Sequence, residues 1–295
     1  VTRAALLVAA LLLVACGGAR QPAPAGDEVL AGLAAAARGA LDNDEPTSAA
    51  GLYARALARA HERDEAPLID DMAFGQAVAL LASGDPASAR RVAGEEGEAL
   101  ARRGRTPSPR LLLAEATALH RLGHAAEARD RAAEVARRGA EDAEAALRAQ
   151  FLLGLLAATR GDAAALEVHR ATLTGARQPA FRADAAELDA HLALLRVEPA
   201  LAAARAGEAA DLRRQAIDYR GLSRALALEG TARARVGEAA RAADLLFRAG
   251  QGAVARGEAQ DARAWLAEAA RLAQAAGRPA LLAEVRAALA RLDRR

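Results

Sequence analysis

The 295-residue chain has one cysteine, one tryptophan, one methionine and no lysine, and aromatic residues make up only 2% of it. Each scarcity excludes something. A lone cysteine cannot close an intramolecular disulfide, and it cannot supply the paired thiolates of a structural zinc site. Without lysine, little titrates between neutral pH and the arginines. The calculated pI of 9.3 therefore accompanies a nearly balanced chain, with 40 basic and 38 acidic residues. That balance makes no case for nucleic acid as a partner, which needs a basic excess on one face. With so few aromatics, any core must be built from Leu, Val and Ala, and side chains this small let helices approach closely. No apolar run reaches the roughly 20 residues of a membrane-spanning helix. There is no Gly-rich phosphate loop and no nucleophile motif. The expectation is a non-enzyme with no cofactor and no metal.

What is present begins with that cysteine. Arg3 gives a positive start, Ala4 to Ala15 is an apolar run, and Gly17 and Gly18 follow Cys16. This is the layout of a secretory signal. Leu13-Val14-Ala15-Cys16 resembles the lipobox of bacterial lipoproteins. In that family the chain is cut before the cysteine, which then carries acyl chains. The resemblance implies a signal peptide over 1–15 and lipidation at Cys16, with the membrane reached through the acyl chains. The chain starts at Val1 with a very short charged region, as a non-standard or slightly upstream start would produce. Residues 16–26 read as the lipidated cysteine and a flexible tether rich in Gly, Pro and Ala. Gly17 stands where the family's inner-membrane retention signal has Asp, so the resemblance favours a periplasm-facing protein on the outer membrane.

The remainder, 27–295, carries apolar residues at helical spacing and no sustained alternation of period two. Gly84, Gly123, Gly161, Gly237 and Gly277 each end an apolar helical stretch at intervals near 39 residues or twice that. The missing turn falls at Glu198-Pro199. Seven residues before each glycine sits a small residue: Ala77, Ala116, Gly154, Gly230 and Ala270. Ala89, Ala128 and Ala242 follow three of the glycines at a distance of five. Ala49, Tyr53 and Ala56 continue the phase backwards into a first unit. Glycine ends the first helix of each unit with a tight turn, and small residues belong where that helix crosses the second. One hairpin cannot bury its apolar face, so stacking is required.

Small residue, six residues, glycine, four residues, alanine is similar to the tetratricopeptide repeat (TPR). AVALLASGDPASARRVA (77–93), ATALHRLGHAAEARDRA (116–132) and GTARARVGEAARAADLLFRAG (230–250) carry the likeness. It implies an all-α, right-handed α-solenoid of about seven antiparallel helical hairpins. The period is longer than the family's usual 34, through longer helices or linkers. Arg233 occupies a normally apolar slot, and the unit around His191 to Ala204 is blurred, with His191 where a small residue belongs.

In this family the first helix of each hairpin lines a concave groove. In phase, that places Arg110, Thr117, His120 and Arg121 on the groove from one unit, and Arg148, Leu155 and Thr159 from the next. Arg196, then Arg224, Thr231 and Arg235, follow from the later ones. Guanidinium forks grip carboxylates at two points, so an acidic or C-terminal peptide segment is the expected partner. The same arginines could instead pair with neighbouring acids. The resemblance implies a scaffold or adaptor for envelope proteins. A hydrolase or a sugar- or small-ligand-binding solenoid is the alternative, and it would need a deep pocket with carboxylates of shifted pKa rather than an open groove.

Other residues read blandly. His120 and His124 flank a turn glycine and are expected to be solvated rather than to share a metal. His61 and His169 look isolated on polar surfaces. Asp70 and Asp71 read as a helix N-cap, Glu95, Glu96 and Glu98 as a solvated face, and Trp265 as packing between the last two hairpins.

Overall fold

The computed structural model describes residues 27–294. The expected signal peptide, Cys16 and tether lie outside them. Among the described residues there are fourteen helices and no strand, and the helices pair into seven hairpins. The first three are α1 (Glu28–Asp42) with α2 (Pro46–Glu62), α3 (Ala66–Ala82) with α4 (Pro86–Arg102), and α5 (Pro109–Arg121) with α6 (Ala125–Arg137). Next come α7 (Ala143–Thr159) with α8 (Ala163–Leu173), and α9 (Pro179–Leu195) with α10 (Pro199–Gln215). The last two are α11 (Tyr219–Arg235) with α12 (Ala239–Ala255), and α13 (Ala259–Ala275) with α14 (Pro279–Leu292). Consecutive helices pack on each other, and the first helices of hairpins two to six also touch in sequence.

The turn Ser83-Gly84-Asp85 shows how three residues join two helices. Gly84 has φ +85, and Asp85 N–H reaches back to the Leu80 carbonyl at 2.9 Å, so helix α3 ends in a Schellman turn. Asp85 then caps α4 by accepting the Ser88 N–H at 3.0 Å, and Pro86 opens the helix where no N–H is needed. Most other turns repeat this plan. The long period comes from the helices: α2, α3, α4, α7 and all of α9 to α13 have 17 residues.

The fifth unit is regular, which corrects the sequence reading. Its left-handed turn residue is Val197 (φ 62), not a glycine, and counting from it puts Ala190 and Ala202, both buried, in the two small-residue slots. Asp44 (φ 59) plays the same part in the first unit, with Ala37 and Ala49 buried in phase. His191 was one residue out of register. The small residues also do more than separate the two helices of a hairpin. A Cβ on Gly230 would meet Leu246 of α12, its own hairpin partner, but one on Gly154 would meet Leu188 of α9 in the next unit.

β-Branched residues in the left-handed region are strained, at about 1–2 kcal/mol. Val197 and Ile217 (φ 55) both sit there with their side chains largely exposed, so nothing in packing repays them. Replacing each with glycine is expected to raise stability by about 1 kcal/mol, even after the added freedom of the unfolded chain. A denaturation midpoint unchanged or lowered in both variants would contradict this.

The hairpins curve until the α3–α4 turn meets the α12–α13 turn. A Cβ on Gly84 would lie 3.1 Å from the Arg256 carbonyl oxygen and 3.3 Å from that of Gly257. Arg220, at the start of α11, donates to the Leu81 and Ala82 carbonyls at 3.1 and 3.4 Å. Arg121 donates to Leu81 at 2.7 Å. Both guanidinium groups thus sit on the carbonyl end of α3, where the helix dipole favours cations. The expected open groove is therefore closed off into a cavity. Among the described residues no helix is long and apolar enough to cross a membrane.

Candidate functional site

The first helices of hairpins three to six, α5, α7, α9 and α11, wall a cavity of about 580 Å³ at the centre of the ring. The α3–α4 turn and the start of α13 close it. Of the residues expected on a groove, Thr117, His120, Arg121, Arg148, Leu155 and Arg224 line it.

Arg110, Thr159, Arg196, Thr231 and Arg235 are not part of this lining. Arg110 sits over the Phe74 ring (5.4 Å) and lies 3.5 Å from Asp71. Arg196 pairs with Glu167 on the outer edge (3.0 Å), and Arg235 is exposed. The Thr159 and Thr231 hydroxyls are spent on their own helices, at the carbonyls of Leu155 and Ala227. Within the cavity, the Thr117 hydroxyl likewise bonds Leu113 (2.8 Å), and Arg148 holds Glu144 (2.8 Å).

At one end of the cavity lies a buried charge network that the sequence reading missed. Arg213, with its side chain 6% exposed, donates to Asp184, to Glu187 (3.0 Å) and to Asp218 (2.9 Å). Arg224 takes the other side of Glu187, at 2.9 and 3.3 Å. The Phe151 ring lies 5.6 Å from the Arg213 guanidinium and 5.5 Å from that of Arg224. Burial would raise Glu187, but Arg224 and Arg213 outweigh it and hold the carboxyl below its ordinary value. At Asp184 burial wins over Arg213 and pushes the carboxyl up. Burial opposes the charge of Arg224, yet Glu187 raises it overall. About a third of the Arg224 side chain stays open even though protein surrounds it, because it faces the cavity.

The other end behaves differently. Arg220 pairs with Glu258, and Arg256 lies 3.5 Å from the same carboxylate. Arg121 has no carboxylate partner among the described residues. Burial, then the charges of Arg220 and Arg224, push it down to about 10, with Glu258 and Asp261 opposing. Asp261 is raised by burial and by Glu258.

Several bland readings need correction. His120 is not solvated: it lines the cavity, and burial, then Arg224 and Arg121, lower its pKa. His124 is exposed and meets Glu127 at 2.8 Å. Among the described residues no cluster of three or more His, Cys, Asp or Glu is placed to hold a metal. His61 meets Glu96 at 3.1 Å, and His169 meets Gln150 at 2.8 Å. Asp70 and Asp71 are not an N-cap, because Ala66-Pro67 starts α3 earlier. Asp70 instead accepts the Ser108 N–H ahead of α5 (2.8 Å). Glu95 and Glu98 are exposed beside Arg91 and Arg102, whereas Glu96 is half-buried. Trp265 packs with Ala253, Ala262 and Leu292 of the last two hairpins.

His120 and His191 give the protein a pH dependence. Burial lowers both; Arg224 adds to this at each, Arg121 adds at His120, and Glu187 opposes at His191. A histidine whose folded pKa is depressed favours the folded state fully above about 6.5, its ordinary value, and that favour is lost as pH falls toward the folded value. Urea unfolding should therefore show lower stability at pH 5.5 than at pH 7.5, and His120→Gln/His191→Gln should lose less over that interval. An equal loss in wild type and variant would rule these two groups out.

No family model and no curated protein matches the sequence. Among solved structures, a tetratricopeptide repeat protein from Parabacteroides merdae is similar at 15% identity and TM-score 0.49, over 88% of this chain and 99% of that one. The TPR2AB domain of yeast Sti1, solved in a pHSP90 complex, gives 14% identity and TM-score 0.35, over 84% of this chain and 100% of that one. Both scores are too low to carry function across. The assignment to an α-solenoid of hairpins rests on the helices and turns described above.

Proposed function

We propose that this protein is a membrane-anchored adaptor that holds a carboxylate-bearing segment of an envelope partner in its central cavity. The observation that carries the reading is Arg121, a guanidinium in the cavity wall whose one acceptor among the described residues is a backbone carbonyl. Buried charge is ordinarily paired, and here the pairing group is supplied by the ligand. Arg121, beside the ring of His120, forms the anion-binding corner. Anchoring is supported by the lipobox-like residues ending at Cys16. Its test is incorporation of a labelled fatty acid into wild type and not into Cys16→Ser.

The binding reading is tested by calorimetry on short peptides with free and amidated C-termini. The free carboxylate should bind, and both amidation and Arg121→Gln should weaken binding at least about tenfold, as removal of a desolvated charge partner does. Equal affinity for acid and amide would reject it. Closure of the ring favours a second reading, a sensor of a small free carboxylate, because about 580 Å³ lies within the ordinary range of small-molecule pockets. Ligand-dependent melting with small acids, and none with peptides, would select that reading.

A further inference from the structure

Resting on the reading that the cavity holds a carboxylate, we propose that its occupant also carries a cationic group close to that carboxylate, with Arg121 taking the one and Asp261 the other. The charged residues of the cavity sort into two kinds. Arg213 and Arg224 are paired with Asp184, Glu187 and Asp218, Arg220 with Glu258, and Arg148 with Glu144. Each of these groups already has an opposite charge within the protein. Arg121 and Asp261 remain. Arg121 has only the Leu81 carbonyl, and Asp261 has no hydrogen bond or ion pair among the described residues. Each feels the charge of the other, yet they do not meet as an ion pair. The space between them is therefore bounded by opposite, uncommitted charges.

The neighbours fit the same division. His120 precedes Arg121 on α5 and Gln260 precedes Asp261 on α13, and neither side chain has a protein partner among the described residues. Gly84 and Gly257 meet between the two walls, and backbone stands where a larger residue would have to fit. Leu113, Phe151 and Leu155 supply apolar wall for a hydrocarbon stem.

A dianion is disfavoured there by Asp261 and Glu258, and a simple cation by Arg121 and Arg220. A ligand with both charges is opposed by neither, and it can lie in one direction only. Such a ligand has two natural sources: a free basic or α-amino acid, or a partner chain ending in lysine or arginine.

The test is calorimetry on the full chain with four probes: acetyl-Gly-Gly-Lys with a free carboxylate, its C-terminal amide, its norleucine analogue, and free lysine. Of the three peptides, the lysine peptide with a free carboxylate should bind best, with the norleucine analogue at least about tenfold weaker. Asp261→Asn should erase that difference while leaving the affinity for the norleucine peptide unchanged. Equal binding of lysine and norleucine peptides, or an equal loss of both in Asp261→Asn, overturns the inference. If amidation alone abolishes binding, the carboxylate reading survives and the cationic half is wrong. If none of the probes binds, both fall. Free lysine binding as tightly as the peptide marks the small-ligand source, and preference for the peptide marks a partner's terminus; either result supports the paired charges.

Discussion

Arg213→Met is expected to destabilise the protein by about 3–5 kcal/mol, the usual cost of removing one partner from a buried ion pair. Methionine fills much of the same space, so loss of packing is not the main effect. The damage is electrostatic. Asp184, with its side chain 5% exposed, loses its hydrogen-bonded cation, while Glu187 keeps Arg224. Asp184 is already held above its ordinary value by burial, and losing Arg213 raises it further. A carboxyl raised in the folded state destabilises above its unfolded value, and the harm is relieved as falling pH lets the folded protein bind the proton. The gap between Arg213→Met and wild type should therefore be widest near pH 8 and narrow toward pH 4. Adding Asp184→Asn should recover part of the loss at pH 8. Urea unfolding across this range is the measurement. A gap that is constant with pH would mean that packing, not charge, is what Arg213 provides.

Leu266→Ala should cost toward the upper end of the 2–5 kcal/mol typical of buried leucine truncation. Leu266 is fully buried in α13, and its side chain rests on Gly250 of α12, where a Cβ would lie 2.6 Å from the Leu266 Cγ. Glycine has nothing to lean into the space that the truncation leaves. Gly250→Ala alone should also destabilise, by about 1–3 kcal/mol, because it overfills the same contact. Together the two changes should cost less than Leu266→Ala alone, since the new methyl group occupies the hole; the coupling is thus strongly favourable in a double-mutant cycle. Hydrogen exchange should place the loss in α12 to α14 first, because a repeat mainly stabilises its neighbours. Additive effects would show that the two residues do not share this contact.

The repeat was legible where the turn residue was glycine. Gly84, Gly123, Gly161, Gly237 and Gly277 all have positive φ, and their phase predicted Ala77, Ala116 and Gly154 as buried. It was blurred where Val197 takes the same conformation, whereas at Asp44 the phase of Ala49 still gave the first unit. Valine in that role opposes its own backbone preference, so no local signal announces it, and the fifth unit looked blurred by one residue. The site was half legible. Of the residues that helical phase assigned to a groove, Thr117, His120, Arg121, Arg148, Leu155 and Arg224 line the cavity. The phase failed at Arg196 and Arg235, which lie at or beside the ends of their helices and face outward. Asp184 and Glu187, three apart and in helical phase with the buried Phe181 and Leu188, were the available sign of the buried network. Closure of the ring had no sign at all, because Gly84 meets Gly257 through curvature summed over five hairpins, and no periodic pattern records that sum.

The cavity exists only because these two turns meet, so their separation is the measurement to make. Spin labels at Ala87→Cys and Ala255→Cys, both exposed beside the turns, would be read by pulsed electron resonance in a Cys16→Ser background. A closed ring predicts one short, narrow distance distribution that broadens in Arg121→Gln/Arg220→Gln, where the carbonyls of Leu81 and Ala82 lose their donors. A long or broad distribution in the otherwise unaltered protein would mean an open solenoid, and would leave Arg121 and Asp261 without a shared cavity.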